Sequence, residues 1–208
     1  MFALRRFGTT HRQCYPFGCA SSSSPPAPPR RRDHRVVHGR AAGLVQHPWR
    51  HSADQRLAAV LIFISASYGA GASLLRFQER SPTVVWSGDD SMSNHYATSV
   101  EQGGYLYGWH GRQEQGCELR CVELRTGKVR WRKSGLKAGS VTLAGHELLV
   151  LTEQGLLIRA PATPDGFEPT AEVQPVGFGV RAFPALADGL YFARSKDRIV
   201  CLDLATAR

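Results

Sequence analysis

From about residue 60 onward the chain alternates apolar and polar residues in short runs, each broken by glycine, proline or an acidic turn. Glu118 to Leu124 puts Leu119 and Cys121 on one face, with Glu123 in the same register. Lys128 to Lys133 puts Val129 and Trp131 together. A period of two over a handful of residues predicts strands rather than helices. The stretch from Ser99 to Trp131 reads as four of them, separated by turns at Glu101 to Gly104, Gln113 to Gly116 and Thr126-Gly127. The second, Tyr105 to Trp109, is rich in aromatics. Four short antiparallel strands with short loops make a meander.

The pattern recurs. Gln102-Gly103-Gly104-Tyr105-Leu106-Tyr107 returns as Ala144-Gly145-His146-Glu147-Leu148-Leu149-Val150 and as Ala187-Asp188-Gly189-Leu190-Tyr191-Phe192. Aligning Tyr105, Leu148 and Leu190 gives spacings of 43 and 42, and Leu61 to Ile64 lies one period earlier. Val84-Val85-Trp86 returns 45 residues later as Val129-Arg130-Trp131. Cys121 and Cys201 hold equivalent places in two copies of the third strand. A four-stranded unit of roughly 40–45 residues predicts a β-propeller blade, with a β-sandwich as the competing architecture. The first unit reads as Leu61 to Ser67, Ser73 to Phe77 and Thr83 to Trp86, and the third runs from about Gly139 to Val176. The fourth starts near Arg181 and contains three strands, without the outer one. The predicted fold is therefore all-β, a partial propeller of about 3.5 four-stranded antiparallel blades over residues 59–208.

Residues 1–58 differ in kind. Ser21 to Arg32 is a run of serine, proline and arginine with no apolar period, a composition that predicts disorder. This segment carries ten Arg, no Lys and two Asp, so almost all of the formal charge of +9 lies in it. A basic arm suits nonspecific binding to nucleic acid or anionic lipid. The same composition also resembles GC-rich DNA translated out of frame. Arg5 and Arg6 are not followed by an apolar run, so no ordinary signal peptide is expected at Met1. Leu57 to Ile64 is apolar and resembles a signal h-region in length, but it is too short to span a bilayer, and its place in the repeat and its β-branched content are those of a blade strand. No transmembrane segment is expected.

Candidate chemistry is sparse. Cys14 and Cys19 lack a second Cys/His pair at zinc-finger spacing, and Cys117, Cys121 and Cys201 fall on predicted strands as free thiols. Gly69-Ala70-Gly71 lacks the Gly-Lys-Ser/Thr ending of a phosphate loop. Asp89, Asp90 and Asn94 are oxygen ligands of the kind hard cations take, in the polar link between the first two blades. His95, His110 and Glu114 flank the second blade and are the candidate ligand-binding set, expected on one rim of the channel. Capped turns and solvated loops explain both sets without a ligand. Trp109 and Trp131 are expected to pack between blades.

The ending Thr126-Gly127-Lys128-Val129-Arg130-Trp131, after an alternating strand, resembles the pyrroloquinoline-quinone-like β-propeller repeat. Cys201-Leu202-Asp203-Leu204-Ala205-Thr206 resembles it too, with Ala207 where the family usually has Gly. The pattern is similar to the Ala-x-Asp-x-x-Thr-Gly-x-x-x-Trp docking motif, with Glu123 in place of Asp. That family includes quinoprotein alcohol dehydrogenases and the propeller component of bacterial outer-membrane protein assembly, and its members are often exported. The resemblance implies seven or eight blades in a complete ring. It also implies bound quinone (PQQ), calcium, an Asp base and, in members that bind quinone tightly, adjacent cysteines; no two cysteines here are adjacent. The leading expectation is thus a noncatalytic binding or scaffold module, a partial propeller whose open edges invite a protein partner or self-association. The alternatives are part of a quinone-dependent oxidoreductase using PQQ and Ca2+, and an accessory protein binding anionic partners through its tail.

Overall fold

The computed structural model describes residues 3–5, 45–47, 60–78 and 81–204, with backbone alone at the first two segments. Sixteen strands form four antiparallel four-stranded sheets, and no helix long and apolar enough to cross a membrane occurs among the described residues. Blade 1 comprises β2 (Val45–His47), β3 (Val60–Ala66), β4 (Gly71–Gln78) and β5 (Ser81–Gly88). Blade 2 comprises β6 (Val100–Gln102), β7 (Tyr105–Arg112), β8 (Gly116–Glu123) and β9 (Val129–Lys133). Blade 3 comprises β10 (Gly139–Ala144), β11 (Glu147–Thr152), β12 (Leu157–Pro161) and β13 (Ala171–Val173). Blade 4 takes β14 (Ala185–Ala187), β15 (Leu190–Arg194) and β16 (Ile199–Asp203) in sequence, and its fourth strand is β1 (Ala3–Arg5).

That last pairing corrects the expectation of a three-stranded final blade. Ala3, Leu4 and Arg5 pair with Asp203, Leu202 and Cys201. Val45–His47 likewise opens blade 1 against Leu61 to Phe63. Neither segment shows an apolar period, because a three-residue edge strand is held by backbone N–H and C=O groups that every sequence carries. Residues 6–44 and 48–59 lie outside the described residues, and with them the expected low-complexity disorder, Cys14 and Cys19. Val60 to Ile64 of the apolar run lie in β3 of blade 1, as its β-branched content suggested.

The repeat register also shifts by one residue in blade 3. The hairpin turns close with Gln102 opposite Tyr105, Ala144 opposite Glu147, and Ala187 opposite Leu190. Tyr105, Glu147 and Leu190 are therefore equivalent, not Tyr105, Leu148 and Leu190. In a strand a one-residue slip exchanges the two faces. The true register aligns Leu106, Leu148 and Tyr191, all fully buried against the preceding blade. It confirms Cys121 and Cys201 as equivalents, opposite Tyr107 and Phe192.

Each blade buries one face against the next. Leu61, Phe63, Leu74 and Met92 meet Leu106, Val122 and Leu124 at the junction of blades 1 and 2. Tyr107, Trp109 and Leu119 meet Leu148, Val150 and Ile158 at the second junction. Leu149, Leu151 and Leu157 meet Tyr191, Ala193 and Leu202 at the third. Two outer-strand tryptophans clamp the first two junctions. Trp86 Nε1 donates to Leu124 O across 2.8 Å, and Trp131 Nε1 donates to Thr163 O across 2.9 Å. The Trp86 ring lies over Gly127, where an added Cβ would stand 2.9 Å from its Cδ2.

Candidate functional site

The links between blades and the turns between the second and third strands of each blade gather at one end of the fold. There, between blades 1 and 2, lies a cleft of about 430 Å³. Its walls come from the β3–β4 turn (Ser67, Tyr68, Gly69), the link after β5 (Asp89, Asp90, Ser93) and the β7–β8 hairpin (His110, Gly111, Arg112, Gln115).

The link owes its path to buried polar contacts. Arg120, on β8, is buried, and its guanidinium donates to Asp90 O at 2.6 Å and Ser91 O at 3.2 Å. Its other nitrogens donate to Glu118 Oε2 at 3.0 and 2.8 Å. That bond holds the Glu118 carboxyl below the ordinary carboxylate range, helped by the Ser134 hydroxyl and opposed by desolvation. Gly111 N donates to Ser93 O, and Ser65 Oγ donates to Met92 O while accepting from Asn94 N. The link is thus fastened to both blades before it reaches β6.

Tyr68 is the most exposed aromatic of the cleft, at 71 %. It is nevertheless fixed. Tyr68 OH is 2.9 Å from His95 Nε2, the two rings meet edge to face at 5.3 Å, and the Arg112 guanidinium lies 4.6 Å from the Tyr68 ring centre. Its φ is +64°, followed by +79° at Gly69, in a turn closed by Ala70 N donating to Ser67 O. Left-handed backbone costs a non-glycine residue about 1 kcal/mol. Strain of this kind persists where surrounding contacts over-determine it, and it clusters at functional sites. The row continues inward: His95 meets Tyr96 edge to face at 5.7 Å, and the Arg181 guanidinium lies 5.1 Å from the Tyr96 ring and 3.4 Å from Glu153. Burial, then the Glu153 charge, pushes the Tyr96 hydroxyl up to about 12.

Of the residues expected to bind a ligand, His110 lines the cleft, whereas His95 stands behind Tyr68 and Glu114 is exposed on the hairpin away from the cleft wall. His110 Nδ1 accepts from Ser93 N at 3.1 Å, so the neutral ring carries its proton on Nε2. Burial and then the Arg120 charge lower its basicity. Of the residues expected to bind a cation, Asp89 and Asp90 line the cleft together, but Asn94 does not. Asn94 is buried, and its carboxamide donates to Ala97 O at 2.8 Å and Ser99 Oγ at 2.9 Å, capping its own turn. The oxygens do not fit calcium, which takes six to eight of them. The Asp90 carbonyl is committed to Arg120, the Asn94 amide to its turn, and a guanidinium shares the cleft. Among the described residues no cluster of three His, Cys, Asp or Glu is arranged for a metal. Sequence reasoning passed over Tyr68, Arg112 and Gln115. The one signal was a tyrosine beside glycine where a tight turn favours Asn-Gly or Gly-Gly.

No family model matches the chain, and no curated protein matches it. Among solved structures it is similar to BamB from Moraxella catarrhalis, with a TM-score of 0.51 and 13 % identity over 68 % of this chain and 39 % of that one. The fold is a β-propeller. Two further likenesses are weaker. A computationally designed protein, Ika8, gives 0.49 at 11 % identity over 74 % of this chain and 46 % of its own. Apo AztD from Citrobacter koseri gives 0.48 at 16 % over 70 % and 41 %. The chain spans less than half the length of each of these proteins.

Proposed function

We propose that this propeller is a noncatalytic binding module, of the quinoprotein-like repeat type that its docking tryptophans resemble, which takes a protein segment into the cleft between blades 1 and 2. The observation that carries the reading is Tyr68: a largely exposed ring, held in a strained backbone by His95 and Arg112, beside the carboxylates of Asp89 and Asp90. Fixed tyrosines contribute contact area at small entropic cost and are enriched at the centres of interfaces. The two exposed carboxylates favour a segment bearing Lys or Arg, and their attraction acts mainly on encounter rate and specificity.

An array of peptides graded in charge and aromatic content, probed with the whole chain, tests this. Peptides with Lys or Arg should bind, binding should fall at least tenfold in Tyr68→Asn, and Asp89→Asn with Asp90→Asn should flatten the charge preference. Asn tolerates the left-handed conformation, so the first variant keeps the turn. Calorimetric titration with calcium and quinone addresses the oxidoreductase alternative, and tight binding of both would replace the proposed reading. Binding to nucleic acid or anionic vesicles that vanishes on removal of residues 1–58 would instead favour the basic-tail reading.

A further inference from the structure

The repeat register exposes a mismatch at the two ends of the blade stack. Tyr107, Leu149 and Phe192 occupy the same position on the face each blade turns toward the next, and so do Leu119, Leu157 and Ile199. In blades 2 and 3 these four side chains are buried to 2 % or less, whereas in blade 4 Phe192 is 39 % and Ile199 71 % exposed. Ala185, on β14 opposite Phe192, is exposed beside them. Blade 1 shows the converse. Ile62 and Leu75 are equivalent to Leu106 and Val122, which are fully buried against the preceding blade, yet both are only half-buried. Phe77 and Val60 extend the same face and pair with each other.

We infer that the outer face of blade 4 docks on the outer face of blade 1 of a second copy, so that two chains close head to tail into one eight-bladed ring. The two faces are the unpaired halves of an interface this chain builds three times internally, with apolar residues at the same repeat positions. Propellers close with four to eight blades. A ring of four would bury Ile199 on the chain's own first blade, and its exposure excludes that closure. Two copies of the four described blades make eight, within that range. A head-to-tail contact whose rotation closes yields a ring, with two identical interfaces. Arg194 stands on the same face where blades 2 and 3 have Trp109 and Leu151, so the docked interface carries one charge that the internal junctions lack.

Light scattering and equilibrium sedimentation of the whole chain over a wide concentration range test this. The wild-type chain should reach twice the chain mass and stop there. Ile199→Lys and Ile62→Glu should each remain single at concentrations where the wild type is double. An equimolar mixture of the two variants should recover the double species, because one of its two interfaces is then entirely wild type. A wild type that stays single at every concentration overturns the inference. So does an Ile62→Glu variant that still pairs, which would mean blade 4 meets blade 4, and so does a ladder of rising masses, which would mean the arc does not close. Melting curves of the single variants establish that they remain folded, and Phe192→Lys gives an independent reading of the same face.

Discussion

Gly127 makes the docking of Trp86 measurable. Its φ is +72°, and a Cβ there would lie 2.9 Å from Trp86 Cδ2, 3.0 Å from Cε3 and 3.1 Å from Ser91 Oγ. Gly127→Ala therefore carries two costs. The left-handed backbone costs about 1 kcal/mol. Displacing the indole weakens the hydrogen bond to Leu124 O, about 1 kcal/mol, and opens part of the junction between Phe63, Leu124 and Val129, about 1 kcal/mol more. Gly103→Ala is the control. Its φ is +61° and nothing lies within 4 Å of the added carbon, so only the backbone cost of about 1 kcal/mol applies. At roughly 2–4 °C per kcal/mol for a chain of this size, Gly127→Ala should lower the melting temperature by about 6–12 °C and Gly103→Ala by about 2–4 °C. Trp86 fluorescence should shift red in the first variant alone. Equal losses in the two would show that the indole does not bear on Gly127 and that Trp86 does not dock there.

Two pH effects follow from the link between blades 1 and 2. Glu118 titrates below its ordinary value when folded, so its contribution is present above about pH 4.5 and is lost as pH falls through its folded value. Glu118→Gln should therefore be less stable than wild type by about 1–2 kcal/mol at neutral pH, with the gap closing in acid, as read by urea midpoints. His110 is a base held below its ordinary 6.5, so the neutral ring is favoured by folding and stability declines as pH falls from that value. Nitrogen NMR should find His110 protonated on Nε2 and titrating below 6.5; a Nδ1-protonated ring would contradict the hydrogen bond from Ser93 N.

What the sequence made legible was the part whose physics is local. Alternation and glycine turns located at least three strands of each blade, and Trp86 and Trp131 marked the junctions they clamp. Short edge strands were not legible, because Ala3–Arg5 and Val45–His47 are held by backbone pairing that leaves no residue pattern. Register was legible only to within one residue, since Leu148-Leu149-Val150-Leu151 is apolar at every position and buries both of its faces. Of the six candidate site residues, Asp89, Asp90 and His110 share the cleft. Asn94 was misleading because a carboxamide suits a turn cap as well as a ligand shell, and only its partners at Ala97 and Ser99 separate the two. Tyr68 escaped because its significance lies in a backbone angle.

The same register explains why the docking pattern fades along the chain. Trp86 of blade 1 sits over Gly127 of blade 2, and Trp131 of blade 2 reaches Thr163 O and Phe167 of blade 3, at a longer turn that contributes its own aromatic ring. In blade 3 the equivalent of Trp131 is Ala171: Arg159 pairs with it as Cys121 pairs with Trp131. Blade 3 has no indole at this place, and in sequence the following repeat has Ala207 where blade 2 has Gly127. The two departures from the repeat fall at the two positions that Trp86 and Gly127 hold at the first junction. The third junction relies instead on Leu149, Leu151, Tyr191 and Leu202, together with Val176 and Val180 from its link. Glu153 accepts from the backbone N–H groups of Gly179 and Val180, tying that link to the β11–β12 turn. The link contributes in the third junction what the tryptophan contributes in the first, so the blades stay stacked while the motif that identifies them is lost.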